Sequence, residues 1–315
     1  MVVLRALGLG DFLTAVPALR ALRRARPEHQ LVLAAPDALH PLAELSGAVD
    51  AVHATASLEE FVTPDEPVDI AVNLHGKGPQ SHRALVTAGP RELLAFACPS
   101  LSYVGPRWQS EEHEVHRWCR LVSAGWGVEA DPTDLLLQAP SHPSVAPGAV
   151  VVHPGAAYPS RRWPAERFAE VARRLHAAGH CVVVTGSAAE RSLADEVSCL
   201  ADLPAGSVLA GGTDLAGLAG LVAGARLVVS GDTGIAHLAS AYRTPSVVLF
   251  GPTPPSRWGP PPHGPHVAIW HGTGTGDPWG GSVDPALSRV EVDEVLQEAD
   301  RLLADGPTAA AGATT

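Results

Sequence analysis

Asp11 is the residue that the sequence places best for acid–base chemistry. It ends the glycine turn 8–11 (GLGD), between an apolar strand predicted over 2–4 and a helix predicted over 11–26. A helix N-terminus favours an ionised carboxylate, and an ionised carboxylate in a cleft can accept a proton from an attacking hydroxyl. Spacing alone leaves a second interpretation open, in which Asp11 only caps the helix.

The segment 227–251 (LVVSGDTGIAHLASAYRTPSVVLFG) predicts a strand over 227–229, a glycine turn, a helix over 234–242 and a second strand over 246–250. Its turn lies at the carboxyl edge of the first strand, where open α/β sheets bind ligands. The backbone N–H groups of Thr233, Gly234 and Ile235 would face that edge and could bind an anion. His237 follows one helical turn later and could face the same ligand, although an isolated buried histidine is more often structural.

The loop 153–163 (HPGAAYPSRRW) follows another strand and carries Arg161 and Arg162 just before a helix predicted over 164–178. Arginine beside a helix N-terminus is suited to hold a diphosphate, whereas the alternative is a solvated arginine pair. Because this loop and the turn 231–234 belong to one sheet edge, together they predict one nucleoside diphosphate site.

Charge and composition exclude several classes of protein. The net charge is −11, from 22 basic and 33 acidic residues, which disfavours nucleic acid or an anionic membrane as partner. The four cysteines form no CxxC pair, so reduced, packed thiols are favoured over disulfides or zinc. Arg5 and Asp11 interrupt the N-terminal apolar run, and no apolar run is long enough to span a membrane. We therefore expect a cytoplasmic protein without a signal peptide or transmembrane segment.

Alternating strands and helices predict an α/β protein with two doubly wound domains. The linker composition at 140–148 (PSHPSVAPG) separates a domain at 1–145 from a second at 149–290. A helix is predicted over 291–304, with packing back on the first domain as one option. The low-complexity segment 305–315 is predicted to be disordered. Two such units imply a cleft between them.

The sequence does not favour a metal site. His113 and His116 lie near Glu111, Glu112 and Glu114, but their spacing fits tetrahedral metal motifs poorly. No acidic DxD pair follows a predicted strand, so a magnesium-bridged diphosphate lacks its usual carboxylate ligands. We therefore predict neither a metal nor a cofactor.

Several segments resemble the heptosyltransferase family, glycosyltransferase family 9, whose members have the GT-B fold of two Rossmann-like domains facing a cleft. The resemblance extends over nearly the whole chain to about residue 303. The more specific matching segments are GLGDFLTAVPALRALR (8–23), VVHPGA (151–156), SRRWPAERF (160–168) and LVVSGDTGIAHLASAYRTPSVVLFGPT (227–253), and the weaker ones are VNLHG (72–76) and HEVHRW (113–118).

The resemblance implies roles for individual residues. Asp11 matches the family's general base, and Arg161 matches a basic donor-phosphate residue that is often lysine. A nucleotide-sugar site in the second domain is implied at Gly10, His153, Gly155, Ala156, Ser160, Arg161, Gly186, Glu190, Thr213, Leu215, Asp232, Thr233, Gly234 and His237. In the first domain, acceptor binding is assigned to Asn73, His75 and Lys77. Two departures matter, because Asn73 stands where aspartate is common, and the ribose-binding glutamate falls near Ala188, with Glu190 close by.

By resemblance the chain is an inverting, metal-independent glycosyltransferase that moves a heptose from ADP-heptose to an acceptor hydroxyl. Residues 1–140 contain 11 basic and 17 acidic residues, so a small neutral or cationic acceptor, such as an aminocyclitol of a natural product, is expected. A lipopolysaccharide-type glycolipid acceptor is the first alternative. A sugar-nucleotide epimerase, which needs no acceptor, and a non-catalytic nucleotide-sugar binding protein, which would be indifferent to Asp11→Ala, are the others.

Overall fold

Two five-stranded sheets organise the chain in the computed structural model, which describes residues 1–64 and 66–305. The strands of the first sheet are β1 (Val2–Leu4), β2 (Val32–Ala35), β3 (Ala51–Ala54), β4 (Ile70–Asn73) and β5 (Glu92–Leu94). Those of the second are β6 (Val150–His153), β7 (Val182–Val184), β8 (Leu227–Gly231), β9 (Ser246–Phe250) and β10 (His266–Trp270).

Every strand pairing within these sheets is parallel, and the strand orders are β3-β2-β1-β4-β5 and β10-β9-β8-β6-β7. The direction of winding therefore reverses between β1 and β4 in the first sheet and between β6 and β8 in the second. Crevices at such reversal points, outside the carboxyl ends of the strands, are where doubly wound sheets bind ligands. The predicted pair of α/β domains is confirmed, and the strands of each sheet lie inside the ranges 1–145 and 149–290.

Helices cover these sheets and bury their apolar faces against them. In chain order they are α1 (Leu9–Ala25), α2 (His40–Ser46), α3 (Gln80–Val86), α4 (Glu114–Trp126), α5 (Ala165–Ala177), α6 (Arg191–Leu200), α7 (Leu215–Ala223), α8 (Gly234–Tyr242), α9 (Pro255–Trp258), α10 (Pro285–Ser288) and α11 (Val292–Asp305). In α1 the residues Leu13, Val16, Leu19 and Leu22 recur every three positions and are all buried. Short 3-10 turns lie at Asp37–Leu39, Pro99–Leu101, Pro159–Arg161 and Ala188–Glu190.

The two domains touch along α1 and α8 and along α2 and α7. One apolar core runs across this contact, because Ile235 and Leu238 of α8 pack in the same cluster as Phe12 and Val16 of α1. Burial of these side chains, at roughly 25 cal/mol per Å² of apolar surface, favours a fixed arrangement of the two domains. The ends of β1 and β8 are thereby held on facing sides of one cleft.

Three predictions about elements are wrong. The helix α1 begins at Leu9 rather than Asp11, so Asp11 is not its N-cap. The stretch 252–281 is rich in Pro, Gly and Trp, and this composition predicts irregular structure, but the stretch contains the strand β10. Only one of the five residues of β10, Ile269, is buried, which weakens the sequence signal. The final helix α11 packs on α5, β8 and β9 of the second domain rather than on the first, because its apolar face completes the core of the second sheet.

The predicted disordered tail 305–315 begins one residue too early, since Asp305 ends α11, and residues 306–315 lie outside the described residues. All four cysteines are free, as predicted, but only Cys98 and Cys119 are packed, because Cys181 and Cys199 are exposed. Across the described parts of the chain, no helix combines the length and the apolar character that crossing a bilayer requires.

Candidate functional site

Asp11 lies in the first turn of α1, two residues after the helix begins at Leu9. Gly8 occupies the N-cap position, so the alternative in which Asp11 caps the helix is wrong. The Asp11 side chain remains 30% exposed toward the cleft. Its position in the first turn still gives the carboxylate the favourable field of the helix dipole.

Arg5, directly after β1, binds the Asp11 carboxylate from the protein side. Its Nη2 lies 3.3 Å from Asp11 Oδ1 and 3.2 Å from Thr14 Oγ1, and its Nε donates to the Asp11 carbonyl at 2.9 Å. The arginine is 1% exposed and its guanidinium lies 4.6 Å from the ring centre of Trp118. A buried, stacked cation of this kind fixes the orientation of its carboxylate partner.

Glu114, at the start of α4, is a second carboxylate in this network. Its Oε1 lies 3.2 Å from Arg5 Nη2 and accepts a hydrogen bond from Trp118 Nε1 at 2.8 Å, and its Oε2 pairs with Arg117. Sequence reasoning missed both Arg5 and Glu114. For Arg5, the sequence signal was a charged residue directly after a buried strand, at a position where the predicted turn requires no charge.

The pKa of Asp11 is raised above its usual value. Burial is the largest cause, Arg5 opposes it, and the Glu114 charge adds to it. Arg161 of the second domain also lowers this pKa, so the two domains interact electrostatically at Asp11. A raised pKa makes the ionised carboxylate a stronger base, which is the property that general-base catalysis uses.

Arg161 faces Asp11 from the second domain, at the end of the turn Pro159–Arg161. Its Nη2 donates to the carbonyl of Asp232 and lies 3.6 Å from Asp232 Oδ2. Three polar atoms around it are buried and have no hydrogen-bond partner among the described residues: Arg161 Nε, Ser160 Oγ and Thr233 Oγ1. Unpaired buried donors are costly, so their concentration here indicates a ligand with acceptor oxygens.

Asp232 and Thr233 form the turn between β8 and α8, as predicted. Thr233 is the N-cap residue of α8 but makes no side-chain cap hydrogen bond, so its side chain leaves the N–H groups of Gly234 and Ile235 to an anion. Asp232 is 7% exposed, and burial raises its pKa to about 6 against the opposing effect of Arg161. The Asp11 charge raises the same pKa further, again across the cleft.

The N-termini of α1 and α8 approach each other through two glycines. A Cβ on Gly10 would lie 2.9 Å from His237 Cδ2, and a Cβ on Gly234 would lie 2.8 Å from Leu9 Cβ. Both values are shorter than ordinary Cβ contacts, so only glycine fits without a shift. His237 is kept neutral, because burial lowers its pKa to about 3 and the charges of His113 and Arg161 add to this effect. Its ring packs edge-on against Trp258 with the centres 5.7 Å apart.

The carboxyl ends of β6 and β7 carry a second group of predicted donor residues. Glu190 Oε2 accepts hydrogen bonds from the backbone N and the Oγ of Ser187, both at 2.8 Å. A Cβ on Gly155 would overlap the Glu190 carboxylate, and a Cβ on Gly186 would lie 3.1 Å from Glu190 Cβ. His153 Nδ1 lies 3.0 Å from Thr185 Oγ1 on the same edge. These residues therefore form one carboxylate-bearing recess beside the Arg161 turn.

The remaining predicted residues have varied surroundings. Ala156 is buried and its carbonyl accepts from Arg162 Nε at 2.8 Å, so Arg162 supports this loop and is not part of a solvated pair. Asp214 rather than its neighbours Thr213 and Leu215 makes the α7 cap, through a 2.7 Å hydrogen bond from the N of Gly217. Leu215 packs at the edge of the core that joins the domains.

Asn73, which the family resemblance assigns to acceptor binding, lies in the interior of the first domain. Asn73 is fully buried, and its amide bonds Ser81, His82 and the backbone N of His75, so no polar group is left for an acceptor. The loop it orders holds His75, whose Nδ1 is buried and has no partner in the described part of the chain, and Lys77, which is exposed.

Both ring nitrogens of His113 have partners within the protein. His113 Nδ1 accepts from the N of Val115 at the start of α4, and its Nε2 lies 3.0 Å from the Gly259 carbonyl of the second domain. Within residues 1–64 and 66–305, no three His, Cys, Asp or Glu side chains are grouped to hold a metal ion.

The two facing doubly wound domains define the GT-B class of glycosyltransferases. The solved structure of Escherichia coli ADP-heptose LPS heptosyltransferase II has the same fold, with a TM-score of 0.77 and 23% identity over 96% of this chain and 98% of that one. The family model of glycosyltransferase family 9 (heptosyltransferase) matches residues 100–273, more than half of the chain. The chain therefore belongs to glycosyltransferase family 9.

Curated relatives match over shorter segments. Lipopolysaccharide heptosyltransferase 1 of Pseudomonas aeruginosa is 41% identical over 111 residues, which are 35% of this chain and 30% of that protein. Lipopolysaccharide heptosyltransferase 2 of Escherichia coli is 32% identical over 158 residues, 48% of this chain and 45% of that protein. The chain thus spans less than half the length of these two relatives.

Proposed function

We propose that the protein transfers a heptose from ADP-heptose to the hydroxyl of a small acceptor by inverting displacement, with Asp11 as general base. One observation carries the proposal. The Asp11 carboxylate of the first domain, whose pKa is raised, faces Arg161 and Asp232 of the second domain closely enough for their charges to interact. A base and an anion site on opposite walls of one cleft suit a reaction between two substrates held by separate domains.

The proposal places the donor on the second domain in one direction. The diphosphate would lie against the N-terminus of α8, where Arg161 Nε and Thr233 Oγ1 have no partner among the described residues. The nucleoside would then extend over β6 and β7, where the Glu190 carboxylate is available to accept hydrogen bonds from ribose hydroxyls. The choice of ADP-heptose rests on the family resemblance and on the name of the solved relative, because no residue in this recess identifies the base.

In the proposed reaction Asp11 accepts the proton of the acceptor hydroxyl while that oxygen attacks the anomeric carbon. The bond from this carbon to the diphosphate breaks in the same displacement, and the configuration is inverted. Arg161 and the N–H groups at the start of α8 stabilise the leaving diphosphate, and loss of one such donor typically costs about 2.7–4 kcal/mol of barrier. We propose that these groups make a divalent metal unnecessary, and that the reaction takes place in the cytoplasm.

A mass-spectrometric screen with ADP-, GDP- and UDP-sugars tests this proposal. We expect an ADP-sugar to bind, and slow release of ADP in its presence that is lost in Asp11→Asn. Isomerisation of the donor sugar with no acceptor present would instead support the epimerase, and donor binding with activity indifferent to Asp11→Ala would support a binding protein. Transfer only to a lipopolysaccharide-type glycolipid would replace the small acceptor.

A further inference from the structure

A cavity of about 720 Å³ lies between the two domains beside the proposed catalytic residues. Its near end is formed by Thr14, His113 and His237, and Thr14 Oγ1 shares the Nη2 of Arg5 with Asp11. Its far end is formed by Arg243, which follows α8, and by His266 at the start of β10. The volume is that of an ordinary small-molecule site.

The cavity and the proposed donor site lie on opposite flanks of α8. The second sheet has the order β10-β9-β8-β6-β7, and the recess around Glu190 and Gly155 lies over β6 and β7. The cavity instead extends from the N-terminal turn of α8 toward β10, and part of its wall comes from α1 and α4 of the first domain. A donor bound over β6 to β8 would leave this cavity open to a second molecule.

We propose that this cavity binds the acceptor, and that the acceptor has an apolar body and an anionic group near Arg243. This inference rests on the proposed function, because it needs a donor in the recess over β6 and β7. It replaces the cationic aminocyclitol expected from the net charge of the first domain.

The lining carries no group that could compensate an ammonium. None of the described residues that line the cavity is Asp, Glu or Lys, although Asp134 belongs to the segment 132–136 that forms one wall. Asp134 pairs with Arg20 and Arg24 instead. Burying an ammonium without a carboxylate partner is strongly unfavourable. The acidic balance of the first domain is therefore carried by residues outside the cavity.

The histidines at the two ends of the cavity, His113, His237 and His266, add no positive charge to the lining. Burial lowers the pKa of His237 to about 3 and that of His266 to about 4, and it also lowers the pKa of His113. These rings are neutral at physiological pH and can serve as hydrogen-bonding groups. Two further histidines, His116 and His263, also line the cavity, and the rest of the lining is mainly proline, leucine, valine and alanine, which suits an apolar ring system.

Arg243 supplies the one full positive charge of the lining. It is exposed, and its side chain forms no ion pair or hydrogen bond within the residues that the structure describes, yet its charge lowers the pKa of His266. Its backbone is left-handed, with φ at 54°, so the side chain is presented by the end of α8 rather than by a continuing helix. An anionic group on the acceptor would form an ion pair with Arg243 at this end of the cavity.

Calorimetric titration of the full chain saturated with ADP tests the proposal, with hydroxynaphthoate, naphthol and deoxystreptamine as anionic, neutral and cationic probes. We expect hydroxynaphthoate to bind more tightly than naphthol, and deoxystreptamine not to bind. Leu136→Trp, at the 43% exposed rim, should weaken hydroxynaphthoate at least about tenfold by filling the cavity. Arg243→Asn, which tolerates a left-handed backbone, should cost about fivefold for hydroxynaphthoate and nothing for naphthol.

Leu200→Trp, at a 51% exposed position on α6, is the matched control and should change neither probe. Preferential binding of deoxystreptamine, displacement of hydroxynaphthoate by ADP, or no response to Leu136→Trp would overturn the inference. The ADP affinity of each variant is measured first and should equal that of the wild type. Failure of the wild type to bind ADP would count against the proposed function, whereas normal ADP binding without hydroxynaphthoate binding counts against the cavity alone.

Discussion

The guanidinium of Arg5 contacts the Asp11 carboxylate at 3.3 Å while the same nitrogen lies 3.2 Å from Glu114. Asp11 therefore shares its cation with another carboxylate and is not fully neutralised by it. This arrangement holds the Asp11 side chain in place and leaves its pKa raised. In a simple ion pair, the cation that orients a carboxylate also lowers its basicity. Here the Asp11 carboxylate is oriented by Arg5 and still keeps a raised pKa.

Asp11→Asn should lower turnover at least about 100-fold, the scale of a lost general base. Affinity for ADP should stay within a few-fold of the wild type, because the diphosphate groups lie on the second domain. ADP release measured by mass spectrometry and ADP binding measured by calorimetry separate the two effects. Asp37→Asn, at an exposed position of the same domain, is the control. Near-normal turnover of Asp11→Asn would remove Asp11 from the mechanism.

Glu114→Gln should move the acidic limb of the pH–rate profile to lower pH. The Glu114 charge raises the pKa of Asp11, and its removal also leaves Arg5 to pair with Asp11 alone. Because the base must be ionised, activity would then survive further into acid. The measurement is the rate of ADP release across pH. Glu112→Gln serves as control because Glu112 pairs with Arg120 instead, and a limb that stays in place in Glu114→Gln would refute this coupling.

Arg161→Ala should weaken ADP binding by about tenfold or more, the scale of a lost charge-assisted hydrogen bond. The buried Nε of Arg161 lacks a partner among the described residues, and removal of the guanidinium also leaves Asp232 without its cation. Arg161→Lys should retain more affinity, since it keeps the charge. Calorimetric titration with ADP measures the affinity of each variant. Arg173→Ala, on the exposed side of α5, is the control and should bind ADP like the wild type. Unchanged affinity in Arg161→Ala would leave the N-terminus of α8 as the main phosphate site.

Asp232 should make the ligand-free protein less stable as pH rises from about 4 to about 6. Its folded-state pKa of about 6 exceeds the ordinary value of 3.8, so the folded protein binds more protons than the unfolded chain in this interval. The stability lost is at most about 3 kcal/mol. Urea unfolding of wild type and Asp232→Asn at several pH values measures the difference, with the exposed Asp195→Asn as control. Parallel pH curves for wild type and Asp232→Asn would show that Asp232 is ionised throughout.

Activity should survive millimolar EDTA. Arg161 and the N-terminal N–H groups of α8 can neutralise the leaving diphosphate, and Asp232 is the only carboxylate in the turn 231–234. A magnesium-bridged diphosphate normally needs carboxylate ligands. The measurement is ADP release before and after chelation. Complete loss of activity that magnesium or manganese restores would make Asp232 a metal ligand.

The sequence predicted the second domain more fully than the first. The helix over 234–242 and the strand over 246–250 have the predicted bounds, because a glycine turn, a periodic apolar face and a β-branched run follow one another without interruption. Local patterns of this kind contain their own signal. The donor turn at Asp232 to Gly234 could therefore be placed before any tertiary contact was known.

The network around Asp11 could not be predicted in the same way. Glu114 is 109 residues from Arg5, and no local pattern indicates that β1 and α4 bring them together. Asn73, which the family resemblance assigns to acceptor binding, depends on the fold in the same way, because it is fully buried and its side chain is bonded within its own loop. In both cases the deciding fact is burial in the fold, which a single sequence does not contain.

The contact between α1 and α8 constrains how this protein could be re-engineered. Leu9 and Gly10 fit against Gly234 and His237 with no space for a further methyl group. A chimera that joins the first domain of another family member to this second domain must therefore carry a compatible pair at 9 and 10, even though neither residue contacts an acceptor in the proposal. Each domain has its own sheet, but a domain can be exchanged only if the residues at the contact between α1 and α8 stay matched.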